Sequence, residues 1–188
     1  MGTSLSELVE APHRTLVRLT GTQAGVSVNR AWAPLLGGYV VDLTLAPPPE
    51  LVIAGYANEG ARVSISPAGE IFSFPLGPRR EWKHRYSFNP DGGCIRQLCL
   101  WFPEDPRPLR WVPDDGFEDY VARVHRHLFY EEFWRRTGFW PTEDAPHGNP
   151  GRQNDTPGEQ SAYPIRSAHL RQAVENYRRN EVKDRRQA

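Results

Sequence analysis

Cys99 is the residue of this chain best placed to do covalent chemistry. It is one of only two cysteines and stands in an apolar run, Leu98-Cys99-Leu100-Trp101. The thiolate is the reactive form of cysteine, and near neutral pH an unassisted thiol is only slightly ionised, so a nucleophilic cysteine needs a base or a positive neighbour. His84, His125, His127 and His147 are the candidate bases, and nothing in their spacing selects one. The plainer alternative is a small buried hydrophobe between two leucines. Cys94 is the rival nucleophile. It lacks the flanking leucines and follows Gly92-Gly93. A bridge between the two thiols would close a tiny loop, so no disulfide framework is expected, which points to the reducing cytoplasm.

Other chemistries fit less well. Cys94, Cys99, His84 and a second histidine could supply four zinc ligands, but the short paired spacings of structural zinc sites are missing. His125 and His127 stand two apart on an expected helix and so point in different directions, which suits satisfied surface roles for both. There is no phosphate-cradling glycine loop, no His-Glu-x-x-His and no Gly-x-Ser-x-Gly. Lys plus Arg and Asp plus Glu number 23 each in 188 residues, so net charge makes no case for nucleic acid or membrane partners. No apolar run is long enough to span a bilayer. The stretch Met1 to Glu10 is acidic and lacks the apolar segment of a secretory signal.

The elements that must position Cys99 can be read from pattern. Ser4 to Glu10 predicts a short helix with Ser4 as its cap and Glu7 three residues on. Thr15 to Leu19 alternates and predicts a strand. Gly38 to Leu45 predicts a stronger one, ended by Pro47-Pro48-Pro49, with Leu51 to Tyr56 following at once. Ala61 to Ile65 and Glu70 to Phe74 flank a Ser66-Pro67-Ala68-Gly69 turn. Strands so closely spaced predict an antiparallel meander. Leu76 to Pro108 reads as irregular. Phe117 to Thr137 reads as a helix, with Phe117, Tyr120, Val121, Val124, Leu128 and Phe129 at three- and four-residue spacings. Asp114 or Asp115 could cap it, and Gly138 sits where it would stop. Strands first and helices after favour an α+β domain. Residues 148–165 are rich in Pro, Gly, Asn and Gln and read as a linker. Residues 166–188 carry Arg166, Arg171, Arg178, Arg179, Lys183, Arg185 and Arg186 against Glu175, Glu181 and Asp184. They read as a polar, basic helical tail with a narrow stripe of Leu170, Val174 and Tyr177.

The order of a meander, an irregular segment with Leu98-Cys99-Leu100, a Trp111-Val112-Pro113 segment and then a helix resembles the ubiquitin-conjugating-enzyme family. The stretch from Tyr130 to Pro141 (Tyr-Glu-Glu-Phe-Trp-Arg-Arg-Thr-Gly-Phe-Trp-Pro), with Glu143 and Ala145-Pro146-His147, resembles a narrower bacterial group. Its members accompany antiphage nucleotidyltransferase (CBASS) systems. The resemblance spans roughly residues 39 to 147 and is weak before Pro75. It implies a ubiquitin-conjugating-like domain over residues 1–147, with an antiparallel meander sheet packed against helices.

The resemblance also implies a chemistry. A protein C-terminus is carried on Cys99 as a thioester and passed to an amine, with no cofactor and no metal. The implied partner is a cGAS-like nucleotidyltransferase whose C-terminal tail is loaded, and a ubiquitin-like modifier or an activating enzyme could also take part. Eukaryotic relatives place a His-Pro-Asn motif shortly before the cysteine. This chain departs from it with Phe88-Asn89-Pro90, Asn89 standing ten residues ahead of Cys99. His84 and Asn89 are the corresponding site candidates, although Asn89-Pro90-Asp91-Gly92 is a good turn in its own right. Trp101, Trp111, Trp134 and Trp140 are expected to hold the cysteine loop against the helix. The acyl-transfer reading requires Cys99 to lie beside a groove that admits an extended peptide. A binding module with an inert cysteine and an unrelated cysteine hydrolase are the alternatives.

Overall fold

Two helices open the chain. In the computed structural model, which describes residues 2–35, 37–78, 80–88, 95–101 and 105–141, α1 spans Leu5–Glu10 and α2 spans Pro12–Thr22. The Ser4 hydroxyl accepts from the Glu7 amide at 3.1 Å and caps α1 as the Ser-x-x-Glu pattern predicts. The strand expected at Thr15–Leu19 is instead the middle of α2. Pro12 occupies its first turn, where a missing N–H costs nothing. The Thr15 hydroxyl donates one turn back to the Ala11 carbonyl at 3.2 Å. Thr15 and Leu19, four apart, form the buried stripe. Five residues were too few to separate alternation from a helical period.

The strands β1 (Val26–Trp32), β2 (Tyr39–Leu45), β3 (Glu59–Ile65) and β4 (Ile71–Leu76) form one antiparallel sheet in that order, the expected meander. β1 was not foreseen. A bulge between Val28 and Arg30 breaks the alternation that would have marked it. The register places Val41 opposite Val63 and Leu43 opposite Ala61. These residues, with Val26, Tyr39, Leu45 and Ile65, meet Leu5, Leu8 and Leu19 of the two helices in the core. On the other face Asp42 and Arg62 are cross-strand partners. Between β2 and β3 the segment Leu51–Tyr56, expected as a strand, begins with α3 (Pro49–Ile53). The Pro48 carbonyl accepts from the amides of Leu51 and Val52 at 2.9 and 3.1 Å.

After β4 the stretch expected to be irregular contains a hairpin of β5 (Arg85–Phe88) and β6 (Ile95–Leu98), and β6 lies against β4. A single 3-10 turn over Pro113–Asp115 then leads into α4 (Phe117–Thr137), whose bounds match the periodicity. Its cap is Gly116, not Asp114 or Asp115. The Asp115 carboxylate serves the preceding turn, accepting from the Val112 amide at 2.9 Å. Gly116 is required where it stands, because its φ is +90° and a Cβ would lie 2.6 Å from Gly2 Cα. Gly138 ends α4 in the left-handed conformation, as expected. Phe117, Tyr120, Val121, Val124 and Leu128 carry the buried stripe of α4 into the core.

The described residues are thus α+β, a four-stranded antiparallel sheet with helices, although helices precede the sheet as well as follow it. Among them no helix is long and apolar enough to cross a membrane. The expected linker (148–165) and tail (166–188) lie outside the described residues.

Candidate functional site around Cys99

The β5–β6 hairpin brings two of the expected site residues together. Its last regular rung pairs Arg85 with Leu98. One step further the Cys99 amide donates to the His84 carbonyl at 2.9 Å. His84 and Cys99 are therefore cross-strand neighbours, fifteen residues apart in sequence. His84 has φ +56°, the single positive φ outside glycine among the described residues. Histidine enters this region more readily than most residues, but holding a side chain there costs about 1–3 kcal/mol and needs firm surroundings. Because the Cys99 amide is spent on His84, it is not available as an oxyanion donor; such donors must come from other groups.

Cys99 is a thiol rather than half of a disulfide, and its residue is only 7 % exposed. The residue is thus largely covered, whereas acyl transfer calls for a groove beside the sulfur. Its S–H donates to the Trp101 carbonyl at 3.7 Å. The Trp101 ring lies 6.0 Å from both Trp111 and Tyr120, and the Trp111 and Tyr120 rings meet edge-on at 5.1 Å. The Trp111 indole N–H donates to the Gly116 carbonyl at 2.9 Å. Trp101 and Trp111 thus hold the cysteine turn against α4, as expected.

His84 is 3 % exposed, and its ring packs on Trp140 with centroids 4.5 Å apart. Trp140 follows the Gly138 reversal and also contacts His127 at 5.5 Å and Tyr130 at 5.8 Å. It therefore joins the His84 side of the hairpin to α4. Trp134 is half-buried and its carbonyl accepts from Gly138. Asn89, the third expected site residue, lies outside the described residues, as do Cys94 and His147. Phe88, which precedes Asn89, pairs with Ile95. That rung is four residues, or about 13 Å of extended strand, from Cys99.

Surface roles for His125 and His127 are not what the structure shows. His127 is buried at 6 % exposure. His125 is half-buried, and its Nε2 donates to the Ala46 carbonyl at 2.9 Å. Burial lowers the His125 pKa against the opposing effect of that bond. Among the described residues no group of three or more His, Cys, Asp or Glu is arranged to hold a metal.

The pattern reading missed a charged cluster behind the hairpin. Glu131 of α4 is fully buried. Arg85 grips its carboxylate with two hydrogen bonds, Nε to Oε1 at 2.6 Å and Nη2 to Oε2. Arg135 Nη1 lies 3.4 Å from Oε2, and His127 Nε2 faces Oε1 at 3.4 Å. Burial pushes the Glu131 carboxyl up, but the His127 ring and the Arg85 guanidinium outweigh it and hold it below the usual range. Beside it Glu132 bonds Arg135 and Arg136 at 2.9 and 2.7 Å. Glu59 at the start of β3 meets Arg80 at 3.0 Å and Arg135 at 3.5 Å. Burial raises the Glu59 pKa despite those two cations. One signal for Glu131 was present in the sequence. It continues the apolar stripe of Val124 and Leu128 at helical spacing, where a lone acid needs a buried partner.

Compared with known protein families, with curated proteins and with solved structures, the chain finds no match.

Proposed function

We propose that this chain is a ubiquitin-conjugating-like acyl transferase with Cys99 as the acyl acceptor. The observation that carries the reading is the rung joining His84 to Cys99 at the end of the hairpin. It makes neighbours of a thiol and the imidazole-bearing residue that the family resemblance pairs with it. The α+β meander under the site is compatible with a ubiquitin-conjugating-like fold.

In the proposed reaction the C-terminus of a partner arrives as an activated acyl group on a carrier thiol. The Cys99 thiolate attacks its carbonyl, the S–C bond forms and the carrier thiolate leaves. A neutral amine of the acceptor then attacks the Cys99 thioester. The amide forms, the amine loses its proton to solvent or a base, and Cys99 departs as thiolate. The proposed partner is a cGAS-like nucleotidyltransferase whose tail is the group carried, with conjugation priming antiphage signalling in the cytoplasm. The test is co-expression with such a partner and intact-mass analysis. An adduct that thiols cleave should form, and Cys99→Ala should abolish it while leaving binding intact. An adduct that survives in Cys99→Ala removes this sulfur from the mechanism.

The 7 % exposure of Cys99 favours a second reading, a non-catalytic module that binds the nucleotidyltransferase or a ubiquitin-like protein. Undiminished partner activity with Cys99→Ala selects it.

A further inference from the structure

We infer that Glu131 is a positioning residue for Cys99, acting through the hairpin rather than touching the reacting atoms; the inference rests on the acyl-transfer reading. Two routes lead from Glu131 to the cysteine. The first runs along the backbone. Arg85, gripped by Glu131, is the residue of β5 that pairs with Leu98, the residue before Cys99. Leu98 is itself in the core, so the rung next to the sulfur is anchored on one strand by charge and on the other by apolar packing. The second runs through rings. His127, whose Nε2 faces Glu131 Oε1 at 3.4 Å, packs on Trp140, and Trp140 packs on His84. His84 supplies the carbonyl that holds the Cys99 amide.

Both routes converge on the one non-glycine residue among the described residues with positive φ. A conformation of that kind persists only where its surroundings over-determine it. The clamp on Arg85 fixes the residue after His84, and Trp140 fixes its ring. A carboxylate with 0 % exposure, reached by two guanidiniums, is a costly way to hold a strand that could be packed with leucine. What the bidentate pair adds over an apolar contact is direction, since the guanidinium plane admits one orientation of the strand.

The test reads Cys99 directly and needs no partner. Native chain is pulsed with iodoacetamide; the sulfur displaces iodide and gains a carboxamidomethyl group. Trypsin then cleaves after Arg96, which puts Cys94 and Cys99 on different peptides. In Glu131→Gln, which keeps the shape and removes the charge, Cys99 should alkylate about fivefold faster, the factor for about 1 kcal/mol of easier local opening. Cys94 in the same molecules serves as the reference for reagent and exposure time, and the urea midpoint of each variant separates a local change from a loosened fold. Arg85→Lys, which keeps the charge but loses the fork, should act in the same direction and covers the case in which Glu131→Gln does not fold. Asp119→Asn, which breaks the ion pair with Arg123 near the start of the same helix, should leave Cys99 unchanged.

An unchanged Cys99 rate in folded Glu131→Gln overturns the inference, and so does an equal rise in Asp119→Asn. Where the adduct with the partner is obtained, Glu131→Gln should lower the rate of loading at saturation about tenfold with little change in KM, the pattern of a lost orientation effect. Faster alkylation without any adduct in the wild type leaves the positioning role standing and removes the acyl-transfer reading. The two failures are therefore told apart.

Discussion

The Asp42–Arg62 pair tests whether a buried ion pair in this sheet contributes stability or only orientation. The two residues face each other across β2 and β3, and Arg62 donates from Nε and Nη2 to the two carboxylate oxygens at 2.6 and 2.7 Å. They are 8 % and 3 % exposed, and the Trp32 ring lies 5.1 Å from the guanidinium. At about 4 Å between charge centres and an effective dielectric of about 20, the gross attraction is about 4 kcal/mol. Desolvation of each ion costs several kcal/mol, so the pair nets close to zero against an apolar replacement. Breaking it from one side is different, because the surviving charge stays buried and loses this partner.

Arg62→Met or Asp42→Val alone should therefore cost about 3–5 kcal/mol. Asp42→Val with Arg62→Met should cost about 1 kcal/mol, mostly the lost cation–π contact with Trp32. The coupling energy from the double-mutant cycle is then about 3 kcal/mol or more. A single change of this size is a large part of the 5–15 kcal/mol typical of a domain, so the loss is easily measured. Urea unfolding followed by the fluorescence of the six tryptophans gives all four stabilities. Single variants that lose less than about 1 kcal/mol, or a double variant that simply adds the single losses, would refute the argument from burial. Because the pair sits on the face of the sheet away from the core, the double variant should also leave Cys99 alkylation at the wild-type rate.

Further expectations follow from the same geometry. Cys99 in the native chain should alkylate at least about tenfold slower than in urea, since at 7 % exposure it reacts through local opening; equal rates would mean that the sulfur is open. The carboxyls of Glu131, Glu118 and Glu132 are all held below their ordinary 4.5, each against the opposing effect of burial. Their contribution is present above the unfolded value and lost as pH falls through the folded ones, so the urea midpoint should drop below pH 4.5, with Glu59, shifted up, working the other way. A midpoint that rises on acidification contradicts this. Glu118 accepts from the Thr3 amide and hydroxyl, both at 2.6 Å, so Glu118→Gln should cost about 2 kcal/mol and speed amide exchange first in α1. Gly116→Ala should lower stability by about 1–3 kcal/mol through its φ of +90° and its contact with Gly2; a neutral result means that the N-terminal segment does not pack there.

What could be read from pattern divides along a physical line. Helix α4, its Gly138 stop, the Ser4 cap and strands β2 to β4 announce themselves through signals carried by nearby residues: a sustained period, a capping side chain, a proline or glycine boundary. The short apolar stretch in α2 has no such length, and its type was settled by Leu19 reaching the core. β1 hid behind its bulge and β5–β6 behind strands of four residues. Cys99 stood out because its residue type is rare here, and His84 because a family resemblance pointed to it. The direction in which each faces was set by groups far off in sequence.

The charged cluster makes the same point from the other side. Glu131 is drawn into the core by Arg85, forty-six residues away, and Glu59 by Arg80 and Arg135. A glutamate on an exposed helix face and one on a buried face have the same one-letter record; only its place in the stripe of Val124 and Leu128 distinguishes them. That stripe would have justified expecting a buried cation opposite position 131, since an uncompensated carboxylate there would ionise only at a cost of several kcal/mol. It would not have named Arg85 among the many arginines of the chain. The choice is made by the hairpin register. Pairing Arg85 with Leu98 sets its side chain and the apolar Leu98 side chain on the same face, toward α4, and leaves His84 and Cys99 as the next pair along. A register slip by one residue would turn Arg85 away from Glu131 and strand the carboxylate. The ion pair therefore selects the register, and the register is what makes His84 and Cys99 neighbours.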